Sequence, residues 1–198
     1  MTSFIQFQQA TYLTSATTVA QLVSDQDREV AFMGRSNAGK SSALNAIAGI
    51  KKLARTSRTP GRTQMINFFA LDASHRLVDL PGYGFAKTPL RIKLRWEKLI
   101  SNYLEIRQSL VGLMLVMDSR HPLKEMDQQF MEWAIEFEVP LHILLTKSDK
   151  LSGNEQKKSL FLVENSIAMH KNISVQLFSS VKKHGVDEAR EKLKQWFR

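Results

Sequence analysis

Cysteine is missing from this sequence altogether, which excludes a disulfide framework and any thiolate metal site and makes a reducing compartment its simplest setting. No apolar run reaches the roughly 18 residues that a membrane span needs. The opening stretch, MTSFIQFQQATYLTS, lacks the charged start and unbroken apolar segment of a secretory signal. A cytoplasmic protein with no membrane partner is the expectation. Repeats and low-complexity tracts are absent too, and 43% hydrophobic with 24% charged residues excludes a collagenous, coiled-coil or disordered chain.

Acidic residues are the scarcer sign: 19 Asp and Glu stand against 28 Lys and Arg, a net charge of +9. Polyanions are natural partners for such an imbalance, although a merely soluble basic protein would show it as well. The location of the charge separates the two. A chain of 198 residues is within reach of one core and one sheet, so one principal domain acting as a monomer is expected.

Six apolar, strand-like runs occupy residues 30–33, 65–71, 77–80, 111–117, 141–145 and 173–178. Helical stripes lie between most of them: Leu44 and Ile47; Ile92, Trp96, Leu99 and Tyr103; Phe130, Trp133, Ala134 and Phe137; Leu160, Val163 and Ile167. A last stripe, Val186, Ala189, Leu193 and Phe197, closes the chain. Spacings of three and four put each set on one helix face, where core packing explains the aromatics better than ligand binding does. Alternating strands and helices imply a parallel sheet covered on both faces. The second and third runs are too close for a helical crossover and should pair as an antiparallel hairpin. The expected fold is therefore α/β in three layers, a mostly parallel six-stranded sheet with one antiparallel edge strand and ligands at the carboxyl ends of its strands. Residues 1–28 show no clean period and are assigned as an extension that adds a strand or wraps the core, with the principal domain over 29–198.

Directly after the first run stands Gly34-Arg35-Ser36-Asn37-Ala38-Gly39-Lys40-Ser41, followed by Ser42. It fits GxxxxGK[ST] at every fixed position and lies between strand and helix as that motif requires. Its glycines let the backbone curve around phosphate, so that amides and the helix N-terminus face negative charge. Lys40 is expected to reach the β- and γ-phosphates and the Ser41 hydroxyl to ligate Mg²⁺. Asp79-Leu80-Pro81-Gly82 ends the third run; Asp79 is placed to hold Mg²⁺ through water and the Gly82 amide to meet the γ-phosphate, with a plain turn as the alternative.

The base is read at Thr146-Lys147-Ser148-Asp149, after the fifth run. A carboxylate at Asp149 would accept hydrogen bonds from guanine N1–H and the exocyclic amine, a pattern adenine does not offer. The stem of Lys147 would cover the purine face. Thr146 stands where the usual guanine motif has Asn. Phe178-Ser179-Ser180 is a candidate backbone contact to the base oxygen, or simply a Ser-rich strand-end loop.

In this order and spacing, GRSNAGKSS, TPGRTQMINFF, DLPGYGFA, TKSDK and FSSVKKHGV resemble the EngB family (also written YihA or YsxC) of bacterial GTPases, over nearly the whole chain. The resemblance implies a Ras-like G domain of the P-loop NTPase class that binds GTP and GDP with Mg²⁺. It also implies a part in maturation of the large ribosomal subunit, and in growth, cell division and septation. By the same likeness Thr63, within Gly61-Arg62-Thr63-Gln64-Met65, matches the switch threonine that joins Ser41 and Asp79 around Mg²⁺; Thr59 and Thr56 compete for that assignment. Some relatives of this class use an Asn at the position of Asn37 to bind K⁺ against the phosphates, the alternative here being a polar turn residue.

Many GTPases follow the glycine of DxxG with a Gln that orients the attacking water, and this chain has Tyr83, so intrinsic hydrolysis is expected to be slow. Lys51, Lys52, Arg55, Arg58 and Arg62 crowd one loop beside the expected γ-phosphate, and Lys87, Arg91, Lys93, Arg95 and Lys98 follow the other. They offer a basic surface to rRNA, or a solvated face. Lys182, Lys183 and His184 add charge near the base, and His121 is read as a loop residue. Two other functions remain open on the sequence: a P-loop kinase for a small acceptor, which would not need TKSD, and a guanine-nucleotide sensor with negligible turnover, which Tyr83 would suit.

Overall fold

The computed structural model of the chain describes residues 5–54, 65–83 and 90–198, with side chains from residue 98 onward in the helix that opens at Leu90. Gly61, Arg62, Thr63 and Gln64, with Thr56 and Thr59, lie outside the described residues. So do Arg55, Arg58 and Lys87, and the side chains of Arg91, Ile92, Lys93, Arg95 and Trp96.

Seven strands, β1 (Thr11–Ala16), β2 (Arg28–Gly34), β3 (Ile66–Ala70), β4 (His75–Asp79), β5 (Leu110–Asp118), β6 (Leu141–Thr146) and β7 (Ile173–Leu177), form one sheet. Their order is β1-β3-β4-β2-β5-β6-β7. Five helices, α1 (Lys40–Ala48), α2 (Leu90–Ile106), α3 (Glu125–Glu136), α4 (Gly153–Ile167) and α5 (Val186–Trp196), connect them. The parallel α/β expectation holds from β4 through β7, and β3 and β4 form the expected antiparallel pair.

Two details differ from the sequence reading. The sheet has seven strands instead of six, because β1, from the N-terminal extension, pairs antiparallel with β3. The antiparallel strand β3 therefore stands second, and β1 is the edge. Only Ala16 of β1 is buried, while Tyr12 and Leu13 are 59% and 47% exposed, so the strand carries little of the apolar alternation that would betray it. At the end of α3, Phe137 lies outside the core at 50% exposure and stacks on Trp133, its centroid 5.1 Å away.

Each strand sends alternate residues to opposite faces. From β2 and β5, Ala31, Met33, Leu113, Leu115 and Met117 pack with α2, α3 and α4 through Leu99, Tyr103, Ala134, Val163 and Ile167. Val30, Phe32, Met114 and Val116 pack on the other face against Leu44 and Ile47 of α1 and Ala189 and Leu193 of α5. The sheet is thus sealed on both sides, and the ends of β2, β4, β5, β6 and β7 emerge together.

At the opposite end of β2, Glu29 is fully buried and would be costly there without partners. Arg107 donates to both its oxygens at 2.9 and 2.7 Å, Tyr103 donates at 2.9 Å and Arg76 at 3.1 Å. The same arginines donate to the extension, Arg107 to the Val23 carbonyl at 2.7 Å and Arg76 to that of Ser24 at 2.9 Å. An ionic cluster therefore pins residues preceding β2 to the start of the sheet.

His142 in β6 is 3% exposed, with Ser174 Oγ and Gln176 Oε1 each 2.8 Å from a ring nitrogen. Burial holds its pKa down to about 4, against an ordinary 6.5. Between those values the unfolded chain binds the proton and the folded chain does not, so stability falls as pH drops through this window. Thermal melts at pH 7 and pH 5 are expected to differ more for the wild type than for His142→Leu; equal differences would locate the acid sensitivity elsewhere.

Candidate nucleotide site

Following β2, the chain turns through a loop and enters α1 at Lys40. Asn37 (φ 64°) and Gly39 (φ 102°) both adopt left-handed backbone, a conformation Asn tolerates and Gly favours. Interspersed left-handed residues are what turn successive amides toward one concave side. The first amides of α1 lack intrahelical acceptors and open on the same end of the helix. Ala38 N donates to Arg35 O at 3.0 Å, which closes the turn. Gly34 and Ala38 are buried, Arg35, Ser36, Gly39, Lys40, Ser41 and Ser42 are half-buried, and Asn37 is exposed. The ammonium of Lys40 ion-pairs with the carboxylate of Asp79 at the end of β4, their side chains 11% and 3% exposed.

Beyond Asp79, the segment Leu80-Pro81-Gly82 runs beside the loop as a continuation of the β2–β4 pairing. Leu80 N donates to Phe32 O at 3.0 Å, Tyr83 N to Gly34 O at 3.3 Å, and Ser36 N to Tyr83 O at 2.8 Å. A methyl group at residue 82 would stand 3.3 Å from Gly34 O and 3.5 Å from Ser36 N, so the close approach of the two backbones favours glycine. Met65, at 37% exposure, precedes β3.

Tyr83 is fully buried, and its ring lies 4.7 Å from that of Phe130. Its hydroxyl donates to Asp127 Oδ1 at 2.5 Å, while Asp127 Oδ2 accepts from Lys124 N at 3.1 Å. Burial, then the neighbouring carboxylate, push the phenol well above its ordinary range. Desolvation likewise raises the Asp127 carboxyl, against the Tyr83 hydrogen bond that lowers it. The side chain that replaces glutamine is thus turned into the protein and held there by α3.

Thr146, at the end of β6, has its hydroxyl within reach of the Ala38 carbonyl and, at 2.9 Å, of the Met117 carbonyl; its one proton serves either or is shared. In place of the usual Asn, threonine still ties the phosphate-loop backbone to the next strand end. Lys147 adopts left-handed backbone (φ 59°), and its ammonium donates to Asn37 O at 2.6 Å. Ser148 is buried, donating through Oγ to Phe178 O at 3.0 Å. Ser179 Oγ donates to Asp149 Oδ1 at 2.6 Å and accepts from Lys182 N at 3.1 Å, fixing the carboxylate against the loop that follows β7. That hydroxyl leads the effects that hold the Asp149 carboxyl below its ordinary value, so the group is ionised and purely an acceptor at neutral pH. Phe178 is buried and Ser180 half-buried beside it.

The structure therefore brings the segments 34–42, 79–82, 146–149 and 178–180 to one end of the sheet. It also adds a residue that spacing did not reveal. Asp118, 6% exposed at the end of β5, accepts from Lys147 Nζ at 2.9 Å and from Arg120 Nε and Nη2 at 2.9 and 2.7 Å. Burial works to raise its pKa, but the bonds from Arg120 and Lys147 outweigh that and hold the carboxyl well below its ordinary value. The available signal was an acidic residue at the end of an otherwise apolar strand. Among the basic residues, Lys51, Lys52, Lys98, Lys182 and Lys183 are exposed, with His184 and His121.

A doubly covered parallel sheet with this loop, a DxxG turn beside it and a lysine–aspartate base loop two strands away defines a P-loop GTPase. Residues 29–147 match the family described as 50S ribosome-binding GTPase. A probable GTP-binding protein EngB from Coxiella burnetii (strain RSA 331) is 60% identical over 193 residues, 97% of this chain and 94% of the relative. One from Enterobacter sp. (strain 638) is 52% identical over 192 residues, 96% and 92% of the two chains. The chain belongs to the EngB family of GTP-binding proteins. Among solved structures, a probable GTP-binding protein engB superposes with a TM-score of 0.70 at 20% identity over 86% of this chain and 98% of that one. Aquifex aeolicus Era bound to GDP·AlF4⁻ superposes at 0.68 and 19% identity, over 87% and 57%; both matches concern the fold. The protein binds GTP and GDP and hydrolyses GTP, and the kinase and non-hydrolysing sensor readings fall away.

Tyr83→Phe would leave the buried Asp127 oxygen without its hydroxyl donor, a loss expected to cost about 1–3 kcal/mol of stability. Denaturant unfolding measures it. Single-turnover GTP cleavage is expected to change little, since the phenol faces α3; a large loss of cleavage at unchanged stability would contradict that placement.

Proposed function

We infer that this GTPase is a switch whose triphosphate form engages the large ribosomal subunit or its precursor and assists its assembly, with normal division and septation depending on that step. The observation that carries the reading is the match of residues 29–147 to a family described as ribosome-binding, and a net charge of +9 is consistent with an rRNA partner. Exposed Lys51, Lys52 and Lys98 belong to the two basic stretches that flank the phosphate site in the sequence, and supply part of that surface. Residues 29–198 act as the switch, and residues 1–28 as an extension that completes the sheet.

In this reading the amides of 34–42 cradle the phosphates and Lys40 leaves Asp79 to neutralise them. Asp149 selects guanine, Lys147 covers it, and the 178–180 backbone and Ser148 frame it; Thr146 fixes that loop to the phosphate loop. The donor set suits Mg²⁺: Ser41 and Asp79 offer hard oxygens, and no cluster of three or more His, Cys, Asp or Glu occurs among the described residues. A cation here would take its remaining ligands from phosphate and water, as Mg²⁺ prefers, with Thr63 joining in the GTP state. Bound there, Mg²⁺ would neutralise charge on the phosphates during transfer. Hydrolysis breaks the bond from the γ-phosphorus to the bridging oxygen as water attacks opposite it, leaving GDP and phosphate. The Gly82 amide steadies the γ-phosphate, and by the family resemblance Gly61, Arg62, Gln64 and Met65 belong to the switch stretch of the sequence.

Turnover is slow because the Tyr83 side chain is committed to Asp127 and does not orient water. Asn37, exposed at the lip of the loop, would let K⁺ add positive charge beside the phosphates. Hydrolysis by isolated protein is expected to be several-fold faster in K⁺ than in Na⁺, and equal rates would remove the ion from the account. For the switch itself, sedimentation with large ribosomal subunits is expected to carry the protein down with a non-hydrolysable GTP analogue, less with GDP, and less again as salt rises. Equal recovery with both nucleotides would refute a nucleotide-gated interaction.

A further inference from the structure

Asp118 has no place in the motifs that bind phosphate, metal or base, yet it is among the most heavily bonded side chains near them. Its position follows from the register of the sheet, in which Asp118 of β5 pairs with Thr146 of β6, so the carboxylate emerges beside the start of the base loop. One oxygen accepts from Arg120 N and Nε at 3.1 and 2.9 Å; the other accepts from Arg120 Nη2 at 2.7 Å and Lys147 Nζ at 2.9 Å. The carboxylate is thus oriented by a two-pronged arginine and turned on the lysine.

Lys147 is an unusual residue to find so tightly held. It carries left-handed backbone at φ 59°, a conformation that residues with a Cβ adopt infrequently. Its side chain is 32% exposed, against 5% for that of Asp118, so without an anchor the long stem would sample many rotamers in solvent. Two acceptors prevent this: the Asn37 carbonyl on the phosphate loop and the Asp118 carboxylate on the neighbouring strand. Both bonds have the charged ammonium as donor; the carboxylate adds a charged acceptor, so the bond to Asp118 is a full ion pair and the stronger of the two.

We propose that Asp118, oriented by Arg120, is a positioning residue for guanine nucleotide that holds the Lys147 stem in place over the purine site before the nucleotide arrives. The proposal rests on the assignment of Lys147 and Asp149 to the base. Preordering a long side chain removes an entropic cost from binding, and because the base is common to both nucleotides the gain falls equally on GDP and GTP. The γ-phosphate and the attacking water are served by other segments, so cleavage of GTP already bound is indifferent to Asp118.

The test is a double-mutant cycle read by stopped-flow binding of fluorescently labelled GDP and of a labelled non-hydrolysable GTP analogue. Asp118→Asn keeps the shape and removes the charge, and is expected to weaken both nucleotides by roughly tenfold, mainly through faster release, with single-turnover cleavage at saturating GTP unchanged. In a Lys147→Met background the same substitution is expected to have no further effect, an outcome that a general loosening of the fold would not produce. Arg120→Ala, a change at a side chain 43% exposed, provides a second route should Asp118→Asn impair folding, with a smaller loss that also vanishes in the Lys147→Met background. Losses that add across the cycle, or unchanged nucleotide release in the single variants, overturn the proposal while leaving the base site intact. Asp149→Asn is the control on that site, expected to trade GDP for xanthosine diphosphate. If it leaves GDP binding unaltered, the base assignment fails and the role of Asp118 fails with it.

Discussion

The loop after β2 is anchored at a distance. Its backbone carbonyls at Asn37 and Ala38 accept from Lys147 and Thr146, two consecutive residues at the end of β6, and this pair of bonds makes the phosphate loop and the base loop one body. Left-handed backbone on both sides, at Asn37, Gly39 and Lys147, is sustained by those bonds and by the packing of β2, β5 and β6 beneath them. A nucleotide has its phosphates and its base at opposite ends, and a protein that reads both must hold the two reading elements at a set separation. Here the separation is set by the sheet, and the Thr146 and Lys147 bonds tie its upper rim together. Where the usual motif has Asn, the Thr146 hydroxyl makes this tie.

Charge in the site is arranged largely as close pairs. Lys40 and Asp79 are partners across the β2 and β4 ends, one suited to phosphate and the other to a cation. Lys147 and Asp118 are partners across β5 and β6. Asp149 accepts from the Ser179 hydroxyl, the leading effect on its carboxyl, with the exposed Lys150 ammonium 3.6 Å from its other oxygen.

Local signals were readable from the chain alone. The phosphate loop is eight consecutive residues whose spacing encodes its own geometry, and the helix stripes and apolar runs gave the layers and the β3–β4 hairpin. Non-local features were not. Asp118 and Lys147 are 29 positions apart and meet only through the β5–β6 register. Tyr83 was legible as the absence of glutamine, but its commitment to Asp127, 44 residues on, depends on how α3 lies against the sheet. Strand β1 stood only as one of two alternatives, an added strand or a wrapping segment, because an edge strand with one buried residue has almost no pattern to offer. Phe137 fitted the helical stripe of α3, yet it caps the helix, where the chain turns away and leaves the ring on Trp133.

The ionic cluster around Glu29 ties residues 23 and 24 to the start of β2 in a way that composition conceals. Arg107 and Arg76 each share their donors between that buried carboxylate and the backbone of residues 23 and 24. Cutting the chain just before β2 would bare the flank of β3 and strip both guanidinium groups of acceptors they reach only there. The leading segment is therefore a keystone at the base of the sheet, and a shortened protein begun at residue 28 would lose footing at the end farthest from its nucleotide.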